Sequence, residues 1–263
     1  MPAFLDEIIA RKRARVAEAK QTADLRVLAA QAERHQVRGF RKSLLRAAES
    51  GTAVIAELKK ASPSKGVIRA TLHVGSVAHE FERAGAAALS VLTEEDYFQG
   101  SLANLREASV ATNLPCLRKD FIVDEFQLLE AKANRADAVL LIAAALSFED
   151  LQRLYVNACG LGLDVLCEVH NELELQRALA AGCDIVGVNS RDLRTFQVDL
   201  DTPLKLARRI PDDVLRVAES GIHSRADIDN LRGAGYQAFL IGESLMKADS
   251  PGDGLRARVA KQV

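Results

Sequence analysis

From Ala53 to the end, the chain repeats one phrase: a short apolar run, a polar turn, then an amphipathic helical stretch. The apolar runs lie near Ala53–Leu58, Ala87–Leu92, Pro115–Leu117, Ala138–Ile142, Asp164–Val169, Ile185–Val188, Val214–Ala218 and Ala238–Ile241. Between them come helical stretches near Val77–Ala84, Leu102–Ala111, Glu125–Asn134, Phe148–Ala158, Glu172–Ala181, Pro203–Arg209 and Arg225–Gly233, with a last helix from about Leu245 onward. Strands that are continuously apolar, without polar alternation, belong in a parallel sheet covered by helices. Alternating strands and helices make an α/β fold, and eight repeats in about 210 residues suit a closed (β/α)8 TIM barrel better than an open doubly wound sheet.

Residues 1–50 do not share the rhythm. Phe4, Leu5, Ile8, Ile9 and Val16 form an apolar stripe on a charged helix, and two more helical stretches follow near Asp24–Glu33 and Phe40–Ser50. No Pro/Gly/Ser-rich linker divides the 263 residues. A single domain is therefore expected, with residues 1–50 as a helical extension and 51–263 as the barrel. The extension should pack over or beside the barrel mouth. Its basic run, Arg11, Lys12, Arg13 and Arg15, reads as a solvated helix face.

A formal net charge of −1 gives no reason to expect nucleic acid or an anionic membrane as partner. The run Ala138 to Leu146 is too short to span a bilayer, and Asp6, Glu7 and the basic cluster stand where a secretory leader needs apolar residues. Cys116, Cys159, Cys167 and Cys183 lack CxxC spacing and read as buried, reduced thiols of a cytoplasmic protein. The five histidines form no HExxH or HxH pair, so no metal is expected. Gly160-Leu161-Gly162 and Gly233-Ala234-Gly235 follow helices, not strands, and read as helix C-caps instead of dinucleotide loops.

Polar residues collect at the strand exits. Strand 1 ends in Glu57 and Lys59 with the loop Ser62-Pro63-Ser64-Lys65-Gly66 behind them. Strand 3 ends in Arg118-Lys119-Asp120, strand 5 in Glu168, strand 6 in Asn189-Ser190-Arg191, strand 7 in Glu219-Ser220-Gly221 and strand 8 in Gly242-Glu243-Ser244. Catalysis sits at this face of such barrels, and turns after the last two strands commonly hold phosphate. Period-two alternation places Ile55, Glu57 and Lys59 on one face of strand 1, and Leu166 with Glu168 on one face of strand 5. Glu57, Lys59, Lys119, Glu168 and Glu219 would then share one cavity, where neighbouring charges can separate their protonation states for acid and base work.

The segments ELKKASPSKG at Glu57–Gly66, LRKDFIVDEFQ at Leu117–Gln127, CEVH at Cys167–His170, GVNSRDL at Gly187–Leu193, VAESGI at Val217–Ile222 and LIGESLM at Leu240–Met246 resemble the indole-3-glycerol phosphate synthase family. The resemblance covers essentially the whole chain and implies a phosphosugar substrate, 1-(2-carboxyphenylamino)-1-deoxyribulose 5-phosphate. That substrate would be closed to an indole with loss of carbon dioxide and water, in tryptophan biosynthesis, without a metal or organic cofactor. It implies Lys119 as the general acid on the ketone oxygen and Lys59 as a grip on substrate carboxylate or phosphate. Glu168 would be base or iminium stabiliser, and Glu57 would assist the second half-reaction. Asn189 and Glu219 would orient hydroxyls and lysines, with Arg191 supporting them. Ser62, Ser220, Gly221, Gly242 and Ser244 would bind phosphate, and Phe98, Phe121, Leu140 and Leu193 would wall the anilino ring. Leu58 and Glu243 depart from the commoner family residues; the first should face outward, and the second should point its side chain away from the phosphate.

Other phosphosugar barrels, isomerase or lyase, remain alternatives at this stage. An isomerase of this kind would place a Cys and an Asp at strand exits, and a Schiff-base aldolase would place a lysine on a late strand. A silent ligand binder would be expected to lack one of the acid–base residues. A monomer or weak homodimer is expected.

Overall fold

The computed structural model describes residues 4–192 and 197–259. Three helices come first: α1 (Phe4–Thr22), α2 (Leu25–Arg34) and α3 (Phe40–Ser50). The barrel strands are β1 (Ala53–Leu58), β2 (Ala88–Leu92), β3 (Cys116–Lys119), β4 (Ala138–Ile142), β5 (Asp164–Val169), β6 (Ile185–Asn189), β7 (Leu215–Glu219) and β8 (Ala238–Ile241). All are parallel, each bonds to the next in chain order, and β8 bonds back to β1, which closes the barrel. Between them run α4 (Val74–Arg83), α5 (Leu102–Ala111), α6 (Glu125–Ala133), α7 (Phe148–Gly160), α8 (Glu172–Ala180), α9 (Asp201–Ala207) and α10 (Arg225–Gly233). Short caps set their starts: Ser101, Ser147 and Asn171 each accept a backbone N–H from the first turn, and Asp124 and Ser224 complete capping boxes.

Strand parity sorts the core into two layers. Ala53, Ile55, Leu117, Leu140, Leu166, Ile185, Val217 and Leu240 fill the barrel, whereas Val54, Ala56, Leu58, Val139, Cys167 and Val186 face the helical sheath. Leu58 therefore points outward, as its position in the alternation requires. Glu57 and Glu168 continue the inward rows above Ile55 and Leu166.

Most boundaries shift by one to three residues from the sequence reading, and three differences bear on the site and its surroundings. β3 runs on through Arg118 and Lys119, because Arg118 turns outward and is satisfied without water: it pairs with Asp120 at 3.1 Å and Glu130 at 2.8 Å and donates to Gln127 O. The loop after β1 folds into a two-stranded ribbon, Ala61–Ser62 against Gly66–Val67, turned by Gly66 at φ +64°. The last helix is two, α11 (Glu243–Met246) and α12 (Pro251–Val259); Pro251 cannot donate into a preceding helix but suits the first position of a new one.

The extension straps the barrel from mouth to floor. At the mouth, Leu5 and Ile8 of α1 pack with Phe121 and Ile142. α2 lies against α6. At the floor, Phe40 and Leu44 of α3 are fully buried with Ala53, Ala87 and Ala138, and Ser43 Oγ donates to Ala87 O at 2.7 Å. The approach to α3 is clamped by Asp137, which is fully buried and accepts from His35 Nε2, Arg38 N, Arg38 Nε and Cys116 N. Burial alone would push the Asp137 carboxyl up, but His35 and Arg38 hold it below its ordinary value.

All four cysteines are free thiols; Cys116, Cys167 and Cys183 are buried, but Cys159, in the last turn of α7, is exposed, contrary to the expectation for all four. Among the described residues no helix is long and apolar enough to cross a membrane.

Candidate active site

The C-terminal ends of the strands surround a cavity of about 1030 Å³ including its open mouth. Glu57, at the top of β1, is buried; Lys59 Nζ donates to its Oε1 at 2.6 Å, and Ser90 Oγ lies 3.4 Å from its Oε2. Gly242 makes this possible: any Cβ there would overlap the Glu57 carboxylate. Burial pushes Glu57 up, yet Lys59 and Lys119 outweigh it and hold the carboxyl below its usual range.

Lys119 leaves β3 toward the opposite wall. Its Nζ donates to Glu168 Oε2 on β5 at 2.9 Å and lies 3.6 Å from Glu219 Oε2 on β7. Glu168 and Glu219 are each 1% exposed. Gly187 on β6 sits between the two acids, and a side chain there would occupy the space of the Glu219 carboxylate. Burial works against the Lys119 charge, but Glu168, Glu219 and Glu57 together raise its pKa well above the ordinary lysine value. Glu168 moves the opposite way: burial opposes its charge, and Lys119 and His170 keep it ionised. Glu219 is pushed up to about 8 by burial and by the like charge of Glu168, only partly offset by Lys119. The rim thus brings an ammonium, a carboxylate held in its ionised form and a carboxyl pushed toward its protonated form within reach of one another, which is a working set for proton transfer.

Beside them lies the anion cradle. Ser220 and Gly221 follow β7 in successive left-handed conformations, φ +65° and +72°, and a side chain at Gly221 would strike Val198 and Leu200. Ser220 and Gly221 line the cavity together with Gly242, Ser244, Ser62 and Ser64. Ser62 Oγ is buried and has no hydrogen-bond partner in the protein, while Ser244 Oγ donates to Ile222 O at 3.1 Å. Asn189 also lines the cavity, and its Oδ1 accepts from Arg191 N at 2.9 Å. Arg191 faces Glu243 at 3.3 Å. Glu243 therefore does not point away: it lines the cavity and turns to Arg191 and to Lys247, with Lys247 Nζ 2.6 Å away, because two cations stand within its reach.

Phe98, Phe121 and Leu140 line the apolar side; the two rings lie 6.4 Å apart, tilted by 44°. Leu193, expected among them, lies outside the described residues. Phe98 is placed by Glu94, a residue that the sequence reading passed over. Its buried carboxylate accepts from the backbone N–H groups of Asp96, Tyr97 and Phe98, the last two at 2.7 and 3.2 Å, and so folds the loop after β2. The first acidic residue past a strand was the available signal.

Arg11, Arg13 and Arg15 of the basic run of α1 are exposed, as expected of a solvated face, but Lys12 is not. Lys12 is buried and pairs with Asp120 at 2.7 Å, Arg15 pairs with Glu95 and Asp96, and Arg11 lies over the Tyr97 ring. These cations meet acids on the loops after β2 and β3, which carry Phe98 and Phe121. Burial would push Asp120 up, but Arg118 and Lys12 hold it low.

A closed (β/α)8 barrel with this lysine–carboxylate rim and a glycine-formed anion cradle is an enzyme of the small-molecule class, built at the face where such barrels carry out chemistry. The sequence comparison narrows this. The family model for indole-3-glycerol phosphate synthase matches residues 5–257, and the chain belongs to that family. It is 56% identical over 256 residues to the indole-3-glycerol phosphate synthase of Koribacter versatilis (strain Ellin345), covering 97% of this chain and 98% of that protein. It is 49% identical to the enzyme of the same name from Burkholderia vietnamiensis (strain G4 / LMG 22486), with the same coverage. Among solved structures, thiamine phosphate pyrophosphorylase from Pyrococcus furiosus superposes with a TM-score of 0.60 over 80% of this chain and 95% of that one at 16% identity. KGPDC from Streptococcus mutans gives a TM-score of 0.60 over 79% of this chain and 95% of that one at 12% identity. At these identities the likeness is one of fold.

Proposed function

We propose that this chain, as one barrel domain with its helical extension, closes 1-(2-carboxyphenylamino)-1-deoxyribulose 5-phosphate to indole-3-glycerol phosphate. The observation that carries the proposal is Lys119 Nζ held between Glu168 and Glu219, opposite the Phe98–Phe121 wall and beside the Gly221 and Gly242 turns. The phosphate rests on the Ser220-Gly221 and Gly242–Ser244 backbone with Ser62, and the ring lies against Phe98, Phe121 and Leu140. Lys59 and Arg191 meet the substrate's anionic groups, and Asn189 orients its hydroxyls.

The ring carbon bearing the carboxyl attacks the ketone carbon. The new C–C bond forms as the ketone oxygen takes a proton from Lys119, so that it leaves the carbonyl as a hydroxyl. The ring nitrogen becomes an iminium, which the ionised Glu168 stabilises. The carboxyl C–C bond then breaks, carbon dioxide departs, and the electron pair left behind neutralises the iminium and restores the aromatic ring. In the second half the hydroxyl takes a proton from the Glu57–Lys59 pair and leaves as water, while a carboxylate at the rim removes the proton from the adjacent carbon to complete the indole double bond. Acid and base roles of this kind contribute about 10²–10⁴-fold each.

The isomerase alternative is not favoured. Cys167 faces the sheath beside Cys183, where burial and that second thiol push it well above the ordinary thiol value, and Cys116 lies near the floor. Neither thiol lines the cavity. The chain contains no Trp, so adding the carboxyphenylamino-deoxyribulose phosphate and following indole fluorescence tests the reaction against a dark protein background. No fluorescent product at any substrate concentration would reject it.

A further inference from the structure

We infer that His170, with Glu174 behind it, is a positioning residue that holds Glu168 in its working orientation and charge state. The inference rests on the proposed reaction only in that Glu168 is taken as its carboxylate. His170 follows Glu168 by two residues at the end of β5, and its Nε2 lies 3.3 Å from Glu168 Oε1. The other oxygen, Oε2, takes Lys119 at 2.9 Å. Lys119 thus holds one oxygen by a hydrogen bond, and the imidazole faces the other as a close ion-pair contact without a formed hydrogen bond, so rotating the carboxylate plane would carry Oε1 away from the ring.

The imidazole is itself held. Its Nδ1 lies 3.0 Å from Glu174 Oε2, and the same oxygen accepts the His170 backbone N–H at 2.8 Å. Glu174 Oε1 accepts from Asn171 Nδ2 at 2.6 Å, and Glu174 N donates back to Asn171 Oδ1 at 3.0 Å. Glu174 stands in the first turn of α8, so the helix N-terminus also favours its negative charge. A carboxylate oxygen near each nitrogen favours the doubly protonated ring. Burial alone would push the imidazole down, but Glu168 and Glu174 raise it to about 10. The groups facing this array are Lys119 from β3 and Glu219 from β7 on the cavity side and Glu174 from α8 on the outer side. The row reads ammonium, carboxylate, imidazolium, carboxylate, from the cavity outward. An outer-shell partner that fixes a working side chain in this way also tunes its basicity.

Two variants and two readouts test this. His170→Asn removes the ring and its charge; Glu174→Gln keeps the shape near the surface and removes only the outer charge. A carboxylate that loses one of its two cations titrates higher, by about one pH unit or more. For His170→Asn we expect the acidic limb of the kcat profile to move toward neutral pH by that amount. Plateau kcat should fall roughly tenfold, a part of what a general base supplies, with KM little changed. Glu174→Gln should move the same limb in the same direction by less. An unmoved limb in a folded Glu174→Gln protein together with an unmoved limb or a change in KM alone in His170→Asn would overturn the inference. A ¹⁵N titration of the His170 ring in the unmodified protein reads the pairing without turnover. We expect a midpoint well above the ordinary imidazole value, lowered in Glu174→Gln, and a midpoint at the ordinary value would overturn it. A protein that turned nothing over yet kept the raised midpoint would reject the proposed reaction and leave the pairing standing.

Discussion

Lys12 of the first helix and Asp120 of the loop after β3 form an ion pair of 2.7 Å, with side-chain exposures of 9% and 1%. The pair lies one residue beyond Lys119 and one before Phe121. The extension is thereby joined to the segment that carries both the acid and one wall of the ring slot.

Removing one member of a buried pair leaves the other charged without its partner, a loss of about 3–5 kcal/mol. Arg118 and Thr93 still face Asp120, so Lys12→Met should fall at the low end of that range by urea unfolding. KM should rise as the Phe121 loop loosens. A midpoint unchanged from the parent would show that α1 rests on the mouth without bearing on it.

Lys119→Met should abolish ring closure while the circular dichroism spectrum stays that of the parent. The fold survives because Glu168 and Glu219, left without their ammonium, can take up a proton instead of remaining as two buried like charges. Near-normal indole fluorescence from this variant would remove Lys119 from the mechanism.

Gly187→Ala places a methyl group where the Glu219 carboxylate now lies. Overpacking of this kind costs about 1–3 kcal/mol, and the displaced acid should lower kcat by at least about tenfold. Full turnover in the alanine variant would show that the position of Glu219 is immaterial.

The folded protein binds the Glu219 proton more tightly than the unfolded chain does, since its pKa is about 8 against an ordinary 4.5. That contribution to stability is fully present below the unfolded value and is lost as pH rises through the folded one. The parent should therefore lose stability between about pH 5 and 8 relative to Glu219→Gln, measured as the difference in urea midpoints at the two ends. Parallel curves for the two proteins would show that Glu219 titrates normally.

Asp137→Ala strips the shared acceptor from His35, Arg38 and the Cys116 amide at the barrel floor. It should unfold the protein more easily by about 3–5 kcal/mol with KM for substrate unchanged, because the clamp lies at the end away from the cavity. A raised KM with unchanged stability would contradict this division.

The barrel and the rim were legible where the evidence was local. Period-two alternation sufficed to turn Glu57 and Glu168 inward and Leu58 outward, and the eightfold repeat placed Lys119 and Glu219 on the same face as both. What sequence could not supply was pairing across distance. Lys12 reads as solvated because nothing near it in the chain explains a buried cation; its partner arrives with the third strand. Arg118 looked like a strand end for the same reason. Glu243 was expected to point away from the phosphate because it departs from the commoner family residue there, and its pairing with Arg191 and Lys247 at the cavity wall could not be read from neighbouring residues. His170 and Glu174 stand at the spacing of a first-turn contact, a local signal that needed only to be read.

The mouth and floor contacts of the extension also bear on synthesis. A nascent chain that has emerged from the ribosome through α1 offers Lys20 to an Asp124 still 104 residues from being made, and His35 to an Asp137 that is 102 residues behind it. Arg15 can meet Glu95 and Asp96 once the loop after the second strand is made, but the Lys20 and His35 contacts must wait until the third strand is complete and the chain reaches the start of the fourth.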